Sequence, residues 1–559
     1  MGLFASEVMP FCRVLTLVVV WGGLFSALSP AEAQEAGKPL LPPAQQLLDD
    51  ADRLSNMPKV FVKGFRFEGN SDAVFTDAQL LDVLSDYVDQ DLTHTQLMEA
   101  RRLLTQHYVS AGYINSGAVL PDQKVADGII TFKIVEGRLG KIDLTGANRL
   151  REDRLKRQIA RGAGEPLNVV SLRETMELLR LGPNLERVNA QLKPGADPGE
   201  SLLDVEIEES DPLQVAVRFS NDRSPSVGSE QVKLLVTHQN VSGLGDSLSF
   251  QYGIINNGVE DAEFAEDDDI SLQYVRPIND ADTTLILGFA RTSTLLIEDT
   301  FVGLDIDSES QTLTVGLRHP VRRTLNSEFA LSLTGEVKSN ETSLLGTPFS
   351  FSPGAVNGES NVTALRFGQE WTNRNQSRVI AARSTFNFGL QILDATEHGS
   401  LPDSGFFAWV GQVQYLRRLG ESSNQLVLRV NTQLANDALL SLEQFAIGGV
   451  NTVRGYRENE IVRDNGAVAS AELRLPLILT DSGKPVLQLA PFLDFGYGWN
   501  THTPHREADI GSGGLGLLLN VDDRVNLQTY WGMPFRNFSN PDHDLQDEGF
   551  HFNVVVNLR

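Results

Sequence analysis

From Asp211 to Arg559 the sequence carries no convincing long helix and runs in short segments that alternate apolar and polar residues. This period of two constrains the fold more than any other feature of the chain. Gln214-Val215-Ala216-Val217-Arg218-Phe219, Ser247-Leu248-Ser249-Phe250-Gln251-Tyr252 and Gln425-Leu426-Val427-Leu428-Arg429-Val430 are examples, and the stretches between such segments are rich in Asp, Asn, Gly and Ser. The clearest segment is the last. Phe550, Phe552, Val554, Val556 and Leu558 fall on one face, with His551, Asn553, Asn557 and Arg559 on the other. Lipid outside and water inside a closed barrel select this pattern. A soluble sandwich edge strand gives the same alternation, but placing it at the chain end favours barrel closure. About eleven such segments precede Gly448 and about five follow Tyr456, each with its loop taking about twenty-two residues, which fits membrane strands of about nine to eleven.

The region before Asp211 is different. Arg13 followed by the apolar run Val14 to Leu28 and the small-x-small site Ala31-Glu32-Ala33 reads as a secretory signal over residues 1–33, too short for a membrane helix. Its removal takes away Arg13, Glu7 and Glu32, so a formal net charge of −26 becomes −25. Cys12, the single cysteine, leaves with it, which excludes disulfides and thiolate metal sites from the mature chain. So acidic a protein is a poor binder of nucleic acid, whose phosphates need Lys and Arg. Residues 34–58 read either as a short helix, with Leu47, Leu48, Ala51 and Leu54 on one face, or as a linker.

Residues 59–137 and 138–210 then repeat one order of elements. In the first, Val60 to Glu68 predicts a strand, Thr76 to Tyr87 a helix capped by Thr76, Thr95 to Gly112 a second helix, and Ala118–Leu120 and Ile129–Glu136 two more strands. In the second, Lys141–Leu144 predicts a strand, Arg151 to Arg161 a helix, and Ser171 to Leu181 a helix capped by Ser171 with Glu174. Val188–Lys193 and Leu202–Glu209 complete it as strands. Two β-α-α-β-β units mark an internal repeat, and such small sheets expose edges that an extended peptide can lengthen.

This repeat resembles the POTRA modules of outer-membrane transporters, and Val135-Glu136-Gly137-Arg138-Leu139 is similar to the phrase closing the first module in two-partner secretion transporters. The resemblance covers the whole mature chain if residues 211–559 form a barrel. It implies two α+β periplasmic POTRA modules followed by an all-β, sixteen-stranded antiparallel transmembrane barrel, with an inward-folded loop around residues 447–463. Chains of this kind usually end in an aromatic residue, whereas this one ends Leu558-Arg559.

Between the two groups of strands lies Gly448-Gly449-Val450-Asn451-Thr452-Val453-Arg454-Gly455-Tyr456. An arginine in a glycine-rich turn is, on its own, usually a solvated loop residue. The alternation of Leu487 to Trp499, however, places Gln488, Ala490, Phe492, Asp494, Gly496 and Gly498 on one face, with glycines that let another backbone come close. The opposite face is apolar, with Tyr497 and Trp499 suited to an interfacial girdle. Val453-Arg454-Gly455-Tyr456 and Phe492-Leu493-Asp494 match the two signature motifs of the transporter superfamily, in which the loop arginine pairs with the wall aspartate. The resemblance thus implies a latch of Arg454 on Asp494.

Enzyme signals are weak. Gly511-Ser512-Gly513-Gly514-Leu515-Gly516 matches the dinucleotide fingerprint, but it continues into a β region and not into a helix, so its glycines are read as strand glycines beside a close neighbour. The nine histidines form no H-x-x-x-H pair. The acidic run Glu266-Asp267-Asp268-Asp269 reads as a solvated loop more readily than as a calcium site. No cofactor, metal or catalytic residue is expected. The resemblance implies a pore in a Gram-negative outer membrane that secretes an unfolded partner carrying an N-terminal secretion domain, with lipid and the barrel assembly machinery as its other partners. A barrel-inserting relative and a passive small-solute porin are the alternatives. The former generally carries three to five modules, and the latter needs neither the modules nor the Arg454–Asp494 pair.

Overall fold

The computed structural model describes residues 59–255, 268–297, 304–399, 402–420, 423–502, 508–522, 524–536, 538 and 544–559. The signal segment 1–33, the segment 34–58 and Glu266-Asp267 lie outside the described residues. The chain divides into two compact units, with the boundary between Ser210 and Asp211.

The N-terminal unit holds the repeat. In its first module Ile129–Val135 is the central strand, parallel to Gly64–Glu68 and antiparallel to Gly117–Val119. The strand expected over Val60 to Glu68 is split. Val60–Val62 pairs instead with Gln90–Leu92. Val62 and Phe65 are both buried, and residues three apart cannot face the same side of one pleated strand, so the chain changes partner at Lys63. The helix Asp77–Val83 starts at Thr76, whose capping box with Gln79 is formed, and ends before a single 3₁₀ turn at Ser85–Tyr87. The second helix, His94–Ser110, is capped by Thr93 with Gln96, two residues ahead of the expected start.

The second module repeats the plan: Glu200–Glu209 lies between Arg138–Thr145 (parallel) and Leu185–Pro194 (antiparallel). Leu155, Ile159 and Leu172 from the helices Glu152–Ala163 and Val169–Arg180 pack on Leu203, Val205 and Ile207. Asn168, not Ser171, caps the later helix: its Oδ1 accepts from the Val170 N–H at 2.9 Å and the Ser171 N–H at 3.2 Å. The Asn168 amide also donates to the Ala111 carbonyl of the first module at 3.0 Å. Between the modules, a Cβ on Gly137 would fall 2.0 Å from the Asn115 Oδ1, which explains a glycine in the phrase that joins them.

In the C-terminal unit, sixteen antiparallel strands among the described residues close into a barrel. In order they are Leu213–Ser220, Gln231–Gln239, Ser247–Ile255, Asp268–Pro277, Thr284–Leu295, Ile306–Arg323, Ser327–Leu344 and Glu359–Arg374, then Arg378–Leu390, Phe407–Arg418, Gln425–Ala435, Asn465–Leu479, Pro485–Trp499, Ala508–Val521, Val525–Pro534 and Phe550–Asn557. Eleven precede the glycine-rich loop and five follow it. The sixth and seventh strands have 18 residues each, beyond the expected nine to eleven; at about 3.3 Å per residue they outrun a bilayer core of about 30 Å even when tilted.

Closure joins the sixteenth strand to the first, with Val554 opposite Phe219 and Val556 opposite Val217. The unusual terminus takes part in it. The Leu558 N–H donates to the Val215 carbonyl at 2.8 Å, the Val215 N–H donates to the Arg559 carbonyl at 3.0 Å, and the Arg559 side chain pairs with Asp211. The barrel is apolar outside: Leu493 and Phe495 are 63% and 54% exposed, while Phe492 and Asp494 between and beside them are buried. A soluble protein rarely leaves so continuous an apolar belt uncovered. Inside, charges pair. Asp269, expected in a solvated loop, is the second residue of the fourth strand and pairs with Lys233 at 2.9 Å and Arg223 at 3.1 Å. Gly514 and Gly516 sit in the fourteenth strand against Phe492 and Tyr530, so the fingerprint match is strand packing.

Candidate functional site

The segment between the eleventh and twelfth strands folds into the lumen. It carries a short hairpin, Phe445–Ile447 against Ile461–Arg463, and returns along the wall. Ile447, Val453, Tyr456 and Ile461 bury themselves on Val468 and Ile510 of the wall. The glycine face of the thirteenth strand makes room for them: a Cβ on Gly496 would meet Ile447 at 2.4 Å and Val453 at 2.9 Å. Gly449 has a φ of +95°, and a Cβ there would overlap the Glu458 carboxylate, whose Oε1 accepts from the Val450 N–H at 2.7 Å. Gly448, with a φ of +116°, starts the same turn, held by its N–H to the Thr452 hydroxyl.

Arg454 is 1% exposed. Its Nε and Nη2 donate to the two oxygens of Asp494 at 2.8 and 2.9 Å, and its backbone N–H donates to Oδ2 at 3.1 Å. Nη1 donates to Glu472, and Nη2 also donates to the Ser470 hydroxyl at 3.1 Å. The guanidinium lies 3.7 Å from the Phe492 ring centroid and 4.7 Å from that of Tyr530. Charge-assisted bidentate contacts of this kind are the strong hydrogen bonds of proteins, and the aromatic faces add cation–π attraction in a dry site. The Tyr456 hydroxyl donates to the Gly511 carbonyl at 3.0 Å, and the Gly455 N–H donates to His551 at 3.2 Å.

The structure therefore brings Val453, Arg454, Gly455, Tyr456, Phe492 and Asp494 together, with Gly448 and Gly449 at the turn that presents them. Sequence reasoning missed Glu472, Ser470, Tyr530 and His551. A signal for the first existed: in Ser470-Ala471-Glu472-Leu473-Arg474 the polar residues alternate, which puts Ser470, Glu472 and Arg474 on the lumen face of one strand.

The expected loop, 447–463, also proves too short. Its entry is tied down by Glu443, which accepts from Arg366 at 2.8 Å and Lys338 at 2.9 Å on the eighth and seventh strands. Its exit is tied by Arg457, bidentate to Asp547 at 2.5 and 2.7 Å. Asp464 fastens the base, accepting from the Leu439 and Thr501 N–H groups at 3.0 and 2.9 Å. The inward segment thus runs from Asn436 to Asp464, and three separated ion-pair clusters hold it. No group of His, Cys, Asp and Glu among the described residues is arranged to hold a metal ion.

A closed barrel with an apolar belt, a buried inward loop and a tandem of small sheet modules defines an outer-membrane protein of the POTRA-plus-barrel class. The chain belongs to the haemolysin secretion/activation protein family ShlB/FhaC/HecB, whose profile matches residues 199–519, and the ShlB-type POTRA domain profile matches residues 60–137. The barrel lies in the outer membrane and the POTRA modules in the periplasm. The outer membrane transporter CdiB of Dickeya dadantii (strain 3937) is 24% identical over 389 residues, 68% of this chain and 66% of that protein. The heme/hemopexin transporter protein HuxB of Haemophilus influenzae (strain ATCC 51907 / DSM 11121 / KW20 / Rd) is 23% identical over 446 residues, 77% of this chain and 74% of that protein. The chain thus spans just under two thirds of the length of that CdiB relative. Among solved structures, CdiB from Escherichia coli superposes with a TM-score of 0.70 at 22% identity, over 92% of this chain and 97% of that one. BamA from Haemophilus ducreyi lacking POTRA domains 1-3 reaches 0.53 at 15% identity, over 89% of this chain and 100% of that one. These structures share the fold.

Proposed function

We propose that this chain is the protein-translocating pore of a two-partner secretion pair. It recognises an unfolded exported partner through an N-terminal secretion domain and passes it across the outer membrane without nucleotide hydrolysis. The observation that carries the reading is the Asn436–Asp464 segment, buried in the lumen and latched by Arg454 to Asp494 and Glu472. A barrel serving only as a small-solute porin has no use for so heavily paired a plug behind two sheet modules.

The modules suit capture by strand addition. Gly117–Val119 and Leu185–Pro194 are edge strands of their sheets, and nine of the ten residues of the latter are at least partly exposed. Passage of a chain requires the loop to leave the lumen, a rearrangement of one segment between two arrangements. The latch suits that task. Removing one partner of a buried pair costs about 3–5 kcal/mol, enough to hold a loop and within reach of the binding free energy of an arriving chain. With no ATP in the periplasm, folding of the partner outside supplies direction. The barrel-inserting alternative shares the barrel fold, but two modules fit secretion better than the longer arrays.

The test is Arg454→Ala in cells that produce the cognate partner. Export should stop while the barrel is still assembled; undiminished export would refute the reading.

A further inference from the structure

The latch has a feature that its own contacts leave unused. Arg429, on the eleventh strand, points into the lumen, since its neighbours Leu428 and Val430 are exposed on the lipid side. It stands directly opposite Ser470, which in turn stands opposite Asp494, so Arg429, Ser470 and Asp494 form one row across three adjacent strands. Glu472 is opposite Val427, which makes it the diagonal neighbour of Arg429 on the same face. Among the described residues Arg429 makes no hydrogen bond or ion pair of its own. Glu472 attracts its charge, while Arg454 and Arg474 repel it.

When the loop withdraws, Arg454 leaves two neighbouring carboxylates, Asp494 and Glu472, on the lumen wall. Glu472 keeps Arg474, which already donates to its other oxygen at 2.7 Å. Asp494 loses its guanidinium and is left beside Glu472 with only the His551 ring nearby, and neighbouring carboxylates without a shared cation repel each other. We propose that Arg429 is the reserve counter-ion of the latch: it swings across Ser470 to Asp494 and Glu472 when Arg454 departs, and swings back when the loop returns. This rests on the latch reading above and deepens it by making release reversible.

The geometry favours the exchange in three ways. The two-strand gap from Arg429 to Asp494 is about 10 Å, which an extended arginine and an aspartate bridge together. The intervening side chain is a serine, small and already hydrogen-bonded to one guanidinium. Departure of Arg454 also removes one of the two positive charges that repel Arg429, leaving Arg474. Arg429 is thus a positioning residue, since it holds the wall carboxylates ready for the loop and need not touch the transported chain.

A double-variant cycle on the full-length protein in detergent tests it. The readouts are the temperature at which the folded barrel converts to its unfolded form on gel electrophoresis, and conductance in planar bilayers. Arg454→Ala imitates the withdrawn loop. In that background Arg429→Gln should lower the conversion temperature by clearly more than it does with Arg454 present, and Arg429→Lys should recover most of the loss. Equal drops in the two backgrounds overturn the proposal. If Arg454→Ala, Arg429→Gln never reaches the outer membrane, assembly of Arg454→Ala, Arg429→Lys supports it, and equal failure of both overturns it. The latch is judged separately. If Arg454→Ala leaves conductance at the wild-type level, the latch reading fails, whatever the cycle reports.

Discussion

Gly455 of the inward loop and Gly532 of the fifteenth strand lie backbone against backbone: a Cβ on Gly532 would fall 2.7 Å from the Gly455 Cα. Gly455 itself has a φ of +89°, which disfavours any side chain. This contact lets Arg454, one residue earlier, reach Asp494 with both its backbone N–H and its guanidinium.

Gly532→Val should therefore act on the loop through the wall. The barrel should assemble, because the strand still pairs and a valine suits it. The loop should be displaced, with secretion falling at least about tenfold, as loss of about 1.4 kcal/mol or more implies. Conductance of the purified protein should rise. A closed channel and normal export in this variant would show that the contact is incidental.

Arg454→Lys should behave much more like Arg454→Ala than like wild type. A lysine cannot donate to both Asp494 oxygens and Glu472 at once, nor stack on Phe492 as a planar group. Secretion assays on the two variants side by side read the difference; full activity of the lysine variant would mean that charge alone matters.

The other anchor can be cut independently. Glu443→Ala leaves Arg366 and Lys338 on the wall without their shared carboxylate, although Arg366 keeps Glu336 at 2.7 Å. Channel openings in planar bilayers should become more frequent, with the Arg454 cluster still formed. An unchanged opening frequency would place all the restraint at Arg454.

Acid should loosen the second module, which is fully stabilised by Glu209 at neutral pH. Burial tends to raise the Glu209 carboxyl, but hydrogen bonds from the backbone of Leu150, Arg149 and Asn148 outweigh it and hold its pKa below the ordinary carboxylate value. For a depressed carboxylate, stability is fully present above the unfolded pKa of about 4.3 and is lost as pH falls through the folded value. Hydrogen exchange at the amides of Asn148 to Leu150 in the full-length protein should accelerate below about pH 4 after correction for intrinsic rates. Glu209→Gln should flatten that dependence.

Deleting residues 59–137 should abolish binding of the partner's N-terminal region, measured by pull-down with purified components. Deleting residues 34–58 should raise conductance if that segment plugs the pore, and should leave it unchanged if the segment is a linker.

Much of this molecule was legible from periodicity, and the failures have specific causes. About eleven strands before the loop and about five after it could be read from alternation, because lipid and water select opposite faces of every strand, while the total of sixteen leaned partly on the family resemblance. Strand lengths did not, because the sixth and seventh strands continue past the bilayer, where hydrophobic alternation no longer marks them. Ser171 looked like a cap because Glu174 follows at the right spacing, but Asn168 also satisfies the preceding module and so wins the position. Asp494 stood out on a glycine-lined face. Glu443 and Arg457 did not, since their partners on the seventh and eighth strands and at Asp547 are distant in sequence and no local pattern marks them.

The amide of Asn168 is shared between its own helix and the Ala111 carbonyl of the preceding module. A first helical turn capped in this way is also held by the neighbouring module. Turning the second module against the first would break that bond and the one from the Val169 N–H to the Gly112 carbonyl, so the start of this helix is also a tether between the modules.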